Sequence, residues 1–594
     1  MHTVEHGVTD VSVGLDFSEP ARALTVERAG RTVVAPSPVG ITAPGGEFPE
    51  AYDLVDSRER GLDETVRTAH GKRRVHDHSG RVATFEFESD DDVVVFELRV
   101  TDDGVAYRYR FESEGESFLF GARPEFSEDS SAFRLPEEAV CWLFDYGVDH
   151  EAVGRHHSAH RVAGEFSMPG LFTTGEDWVL VTEAGVDGGY AASRLATEEA
   201  SLLFEYRLPR TLVRLDCPTA TPWRVAIVGD LETVGASSLV QQLVGASGSD
   251  GTDACPDPGA DWIRPGRVAW SWWSDGASPG EAAVQHEYVD YAAERGREHV
   301  LLDMGWNATD VPGVVSYAHE RDVGVFLWAH WTELNRADDR ERRLDRWADW
   351  GVDGVKVDFM DDDDQGRHQF YDALAEAAAG RELMVNFHGA VVPTGLSARW
   401  PNVMTYEGVM GAEHYPVKGL PPEHNVVLAF SRNVVGPMDY TPVTFSADNR
   451  LTSAGHELAL SVVFESGLQH LADSKEAYAA RPAAERFLER VPAAWDETVV
   501  LGGWPGTEAT VARRRDGEWF VGSITAGPAR TVETALSFLD DEREAVVVRD
   551  GDDDALVREK RRVAPDEPLS VGIAENGGFC LRVPGDGPSV DRSG

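Results

Sequence analysis

Lysine is nearly missing from this chain of 594 residues. Of its 55 cationic side chains only Lys72, Lys356, Lys418, Lys475 and Lys560 are lysines. Acidic residues number 103, so the formal charge is 55 − 103 = −48. A surface of that sign repels phosphate backbones, which excludes DNA and RNA as partners. The charge is spread over the whole chain and is no acidic tail. An acidic, Arg-rich, Lys-poor surface fits a protein kept soluble in very high salt, where self-repulsion is screened, and it predicts a halophilic source. Cysteine is scarce too. Cys141, Cys217, Cys255 and Cys580 lie too far apart for a metal-binding spacing and predict free thiols in a reducing compartment. No run approaches the roughly 18 apolar residues of a membrane span. The opening MHTVEHGVTDVSVGLDF lacks a basic start, an apolar stretch and a twin-Arg pair, so no secretory signal is predicted. These absences point to a cytoplasmic protein without membrane contacts.

What is present reads as three units. Hydrophobic residues at 42% supply several cores. Residues up to about 244 are β-rich: 93–111 reads as two alternating strands around Asp103-Gly104, and 201–208 and 223–229 continue the pattern toward a large sandwich. The Gly/Ser/Asp-rich stretch 245–259 reads as a linker. The rhythm then changes to strand and helix. Strands are predicted at 268–273, 299–306, 323–331, 354–360, 383–389, 403–409, 426–436 and 468–474, with helices such as 281–296 and 336–351 between them. Eight such units fit a (β/α)8 barrel better than an open doubly wound sheet, and no G-x-G-x-x-G follows any of them. Strands return from 497, with a hairpin predicted around Asp516-Gly517. The fold class is therefore multidomain, α/β plus all-β: a sandwich over 1–258, a catalytic barrel over 259–496 and a C-terminal β-sandwich over 497–594. The run Asp361–Asp364 reads as a solvated acidic loop.

Period-two alternation puts Lys356 and Asp358 on one strand face, Asn386 and His388 on another, and Thr405 with Glu407 on a third. Asp303, His330, Asp358, His388 and Glu407 all fall at C-terminal strand ends, where barrels build active sites. Two carboxylates, one ionised and one kept protonated, make a nucleophile and an acid. Asp358 beside Lys356 is placed to stay ionised. The clustered Trp270, Trp272, Trp273, Trp306, Trp328 and Trp331 suit stacking on sugar rings, with core packing an equal reading for half of them.

The ordered segments PGRVAWSWW (265–273), LLDMGW (301–306), FLWAHW (326–331), GVKVDFMD (354–361), NFHG (386–389), YEGVMGAE (406–413), GPMDYTP (436–442) and FESGLQHLADS (464–474) together resemble glycoside hydrolase family 97. That family contains α-glucosidases and α-galactosidases with an N-terminal β-supersandwich, a (β/α)8 barrel and a C-terminal β-sheet domain. Its retaining members carry an Asp nucleophile ending the fourth barrel strand; inverting members lack it and use a Glu directly after the His ending the fifth. Here Asp358 fills the first place and Gly389 the second, so the resemblance implies a retaining enzyme with Glu413 as acid/base. It also implies an active-site calcium ion held by Glu407 and Glu413 from the barrel and by Glu151 from the N-terminal domain; oxygen-only ligands suit calcium.

Lys356, His388, Asp303, His330, Trp328 and Asn386 are the expected substrate-binding residues. The leading expectation is an exo-acting α-galactosidase acting on an oligosaccharide or other glycoside, with self-association left open. Alternatives are an α-glucosidase or pentopyranosidase of the same family, a carbohydrate-binding or inactive barrel, and a metal-dependent isomerase or lyase ligating through His330, His388 and Asp358.

Overall fold

The computed structural model describes residues 2–6, 10–18, 22–43, 46–89, 92–112, 117–120, 130–209, 212–245 and 255–585. Most of the predicted linker, 246–254, lies outside them. Between His2 and Gly229, seventeen strands form one antiparallel sheet. Its logic shows in the hairpin Val93–Thr101/Gly104–Phe111, where Thr101 pairs with Gly104. The turn is thus Asp102-Asp103, one residue earlier than expected. Alternate residues Val94, Phe96 and Leu98 face Tyr107, Tyr109 and Phe111 in a closed apolar core.

Seven parallel strands follow: β1 (Gly266–Trp270), β2 (His299–Leu302), β3 (Gly324–His330), β4 (Gly354–Asp358), β5 (Met384–Phe387), β6 (Val403–Tyr406) and β7 (Leu468–Leu471). Their order is β6-β5-β4-β3-β2-β1-β7, a barrel wall open between β6 and β7. The predicted helices appear as Ala282–Glu294 and Ala337–Asp349.

The strand predicted at 426–436 is absent. Pro422 instead starts a helix, Pro422–Ala429, at the first position where its fixed φ is pre-organised and its missing N–H costs nothing. The open edge is crossed by non-strand backbone: the Asp439 N–H donates to the Tyr406 carbonyl at 2.7 Å and the Met438 N–H to the Glu465 carbonyl at 3.0 Å. Arg432, buried nearby, donates to the carbonyls of Glu407 (2.8 Å), Gly408 (2.9 Å), Pro437 (3.1 Å), Tyr406 (3.2 Å) and Gly436 (3.2 Å). One guanidinium thereby satisfies five acceptors that a ladder would have served.

The acidic run is a loop, as expected, but it is solvated only in part: Asp361 is exposed and Asp363 is not. Asp363 is buried, accepting from the Tyr146 hydroxyl at 2.6 Å and lying 2.9 Å from His150 Nε2, so it ties the N-terminal sandwich to the barrel. Asp364 caps the helix Gln365–Ala379 through the Arg367 N–H.

The C-terminal unit is a six-stranded antiparallel sheet plus a two-stranded ladder, with the hairpin Glu508–Arg515/Glu518–Thr525 turning at Asp516 (φ 50°) and Gly517 (φ 83°) as expected. It packs on the wholly buried barrel helix Ala454–Val463, and Arg513 donates to the Val462 and Val463 carbonyls at its end. Among the described residues no helix is long and apolar enough to cross a membrane. Cys141 and Cys580 are buried free thiols.

Candidate active site

The C-terminal strand ends converge as the alternation predicts. On β4, Lys356 and Asp358 face the barrel interior while Val355 and Val357 join the outer apolar core. Asp358 accepts from Trp328 Nε1 at 2.8 Å and from the Phe359 N–H at 2.7 Å, and its Oδ1 lies 3.5 Å from His388 Nδ1. Burial opposes its charge, but His388, then Lys356 and Trp328, hold the carboxyl well below the usual carboxylate range. Lys356 is therefore not the first cause of that ionisation. Its ammonium pairs with Asp303 at 3.2 Å, an oxygen that also accepts from Trp270 Nε1 at 2.8 Å, and sits 4.8 Å over the Trp270 ring. Burial pulls the Lys356 pKa down; Asp303, then Glu413 and Asp358, outweigh it and hold the ammonium well above its ordinary value.

His388 organises the other carboxylates. Its Nδ1 lies 2.8 Å from Glu407 and its Nε2 3.7 Å from Glu413. Burial disfavours the imidazolium, yet Glu407 and Asp358 outweigh it and Lys356, and the ring is held protonated. Glu413 sits on the one-turn segment Ala412–His414; burial pushes its carboxyl up, Lys356 and His388 pull it back, and Asp303 and Asp358 add to the rise. Its Oε2 is buried without a hydrogen-bond partner among the described residues.

Glu151 arrives from the N-terminal sandwich and meets His414 Nε2 at 2.7 Å. Two groups of ligand-capable atoms lie within 4.8 Å of one another: Glu151, Glu407 and His414, and His388, Glu407 and Glu413. Glu407 belongs to both, while Glu151 and Glu413 share neither. Burial, with Glu151 and Glu413 nearby, pushes Glu407 up against the pull of His388. Crowded carboxylates, Glu407 and Glu413 with raised pKa and Glu413 with an orphaned oxygen, are donors a hard divalent cation would relieve. Among the described residues His330 and Asp358 enter neither group.

Asn386 donates to Asp439 at 2.7 Å, and the other Asp439 oxygen lies 2.9 Å from His470 Nδ1. His330 is at the rim instead, its Nδ1 2.7 Å from the Thr332 hydroxyl and its ring stacked on Phe359 at 5.4 Å. The tryptophans divide: Trp328 and Trp273 touch Asp358 and the Glu413 carbonyl, whereas Trp306 packs on Trp347 and Trp350, and Trp331 packs on Phe370. Gly389 has φ 50°, and a Cβ there would stand 2.8 Å from the Phe359 nitrogen and 2.9 Å from its Cα. This backbone has no room for a glutamate base at 389.

Three family models match in order: the glycosyl-hydrolase 97 N-terminal domain over residues 7–245, glycoside hydrolase 97 over 262–409, and the glycosyl-hydrolase 97 C-terminal, oligomerisation domain over 494–584. The chain belongs to glycoside hydrolase family 97. A relative from Streptomyces bingchenggensis, described as "Probable retaining alpha-galactosidase", is 40% identical over 585 residues, covering 95% of this chain and 89% of that protein. The "Retaining alpha-galactosidase" of Bacteroides thetaiotaomicron is 33% identical over 416 residues, 63% of this chain and 61% of that protein. Among solved structures, a β-arabinopyranosidase superposes with a TM-score of 0.88 at 23% identity, over 98% of this chain and 100% of the other. A family 97 enzyme from Pseudoalteromonas in complex with acarbose does so with 0.88 at 22% identity, over the same 98% and 100%. At these identities the superpositions establish the fold.

Against this family 97 barrel, three site residues escaped the sequence reading. Asp439 and His470 form the polar floor beside Asn386, and His414 is the partner of Glu151. Asp439 had a signal in GPMDYTP, a polar motif sited where the seventh barrel strand belonged; His414 had none beyond its adjacency to Glu413.

Proposed function

We propose that this family 97 glycosidase is a retaining α-galactosidase, with Asp358 as nucleophile and Glu413 as acid/base. The observation that carries the roles is the placing of the two carboxyls against the two nitrogens of His388 with opposite charge preferences, Asp358 held ionised and Glu413 pushed toward its protonated form. The curated relatives' names support the galactoside. In the first step Asp358 attacks the anomeric carbon, the glycosidic C–O bond breaks, and Glu413 gives its proton to the leaving oxygen. In the second, water attacks the glycosyl-enzyme, gives its proton to Glu413 and releases the Asp358 carboxylate. Lys356, Asp303, His388, Asn386, Trp328 and His330 would bind and orient the sugar around that axis. Gly389 leaves the inverting alternative without its base.

Glu407, with a carboxylate oxygen of Glu151 or of Glu413, would hold a calcium ion, whose charge would favour negative oxygens of substrate and transition state. The acidic, Lys-poor composition supports work in molar salt, and the name of the matched C-terminal model supports a homo-oligomer.

Azide rescue in molar KCl tests the roles. Asp358→Gly should turn over an activated aryl α-galactoside only with azide and give the β-galactosyl azide, because the anion enters from the vacated face. Glu413→Ala should accumulate the galactosyl-enzyme and give the α-azide. Identical anomers from both variants, or azide-independent activity near wild type in Asp358→Gly, would overturn the assignment; faster turnover of the matching α-glucoside would overturn the sugar.

A further inference from the structure

Phe359, directly after Asp358, is the least expected residue at its position. Its φ is +63°, a left-handed region that bulky side chains avoid. Part of that conformation has a plain purpose: it aims the Phe359 N–H at Asp358 Oδ1, 2.7 Å away. Glycine or asparagine would make the same turn with less strain, so the backbone explains the angle but not the ring. Nor does burial explain it, since Phe359 is 47% exposed.

The exposed ring is nonetheless held in place. It lies 5.4 Å from the His330 ring at an interplanar angle of 27°, and edge-on to Trp328 at 6.4 Å and 81°. His330 is fixed in turn by Thr332, and Trp328 by its bond to Asp358. One aromatic face is thus covered and the other is not, one residue from the atom that attacks the anomeric carbon. Met304, following Asp303, is a second exposed apolar side chain, 43% accessible, after β2, two strands away in the barrel.

We propose that Phe359, backed by His330, is the stacking platform of the leaving-group subsite, and that it selects substrates whose leaving group is itself a pyranose. A sugar offers one face of C–H groups, which an aromatic face recognises through dispersion and the attraction of polarised C–H to the ring. This rests on the retaining α-glycosidase reading and adds the class of leaving group to it.

The test compares leaving groups of different size on one glycone. α-Galactosyl fluoride leaves the platform empty, whereas melibiose places a glucosyl unit on it. Phe359→Ala should lower kcat/KM for melibiose about tenfold while that for the fluoride stays within about threefold; Phe359→Tyr should restore melibiose hydrolysis. Equal losses on both substrates would mean that Phe359 only positions Asp358 and would overturn the platform, as would no loss on melibiose. The series is repeated with α-glucosyl fluoride and isomaltose. A wild type that favours the glucosides sinks the galactose reading alone, and the platform is then judged on the glucosyl pair.

Discussion

His388 touches three carboxylates, Glu407 at 2.8 Å, Asp358 at 3.5 Å and Glu413 at 3.7 Å, so its charge biases all three at once. The bias has a sign that pH can read. In the proposed mechanism Asp358 works ionised, and its depressed pKa puts loss of that form at acid pH below the ordinary carboxylate range. Glu413 works protonated in the first step, and its raised pKa means that activity falls as pH rises through that value. In kcat/KM for an activated aryl glycoside, between about pH 4 and 9, Glu413→Gln should therefore lack the alkaline limb of the wild type, while the acidic limb of both lies below that range. An alkaline limb unchanged in the variant would assign the acid elsewhere. Lys356, Asp358, Asn386 and His388 could be read from period-two alternation, because each lies on or next to a regular strand whose facing is set by parity. Asp439 and His414 could not, since neither lies on a strand and parity says nothing about loops.

The segment VVLAFSRNVVG shows why one element was misread. An apolar run of that length is compatible with a buried strand or a buried helix, and periodicity cannot separate them. The proline pair Pro421-Pro422 was the better guide, since it opens a helix and interrupts a ladder. The element that replaced the strand hangs on Arg432, and its removal is the sharpest stability prediction the barrel offers. Arg432→Met keeps bulk and apolar stem but takes a donor from five buried carbonyls, of which Tyr406 keeps the Asp439 N–H and Gly436 the Asn433 amide. The expected loss is about 3–5 kcal/mol in denaturant unfolding, the scale for orphaning buried polar partners. A loss under about 1 kcal/mol would show that water or a shifted backbone satisfies those groups.

At the scale of the whole molecule, the sandwich meets the barrel through polar contacts that composition alone conceals. Asp363 looked like one acidic residue among 103, yet it is the buried anchor of Tyr146 and His150. His150, at φ +56°, leads directly into Glu151, so this anchor also fixes the glutamate that reaches across to the barrel. An ion shared by Glu151 and Glu407 would bind the native state and not the separated units, and so stabilise both site and interface. Exhaustive chelation is thus expected to lower activity and the thermal midpoint together, with calcium restoring both. A midpoint insensitive to chelator, with no metal by elemental analysis, would remove calcium from the account. The same measurement belongs in molar KCl, because a formal charge of −48 repels itself over roughly 10 Å at 0.1 M salt and over only about 3 Å at 1 M.

The seam between β6 and β7 changes what kind of time the barrel keeps. Elsewhere the wall is closed by ladders, whose amides exchange with solvent hydrogen only when strands part together. At the seam the Asp439 and Met438 amides are paired across backbone held by two side chains, the Arg432 guanidinium and the Asn433 amide. Deuterium should therefore enter at Met438 and Asp439 on the timescale of those side chains letting go, so that the floor of the site, where Asp439 meets Asn386 and His470, has its own clock, separate from that of the strands around it.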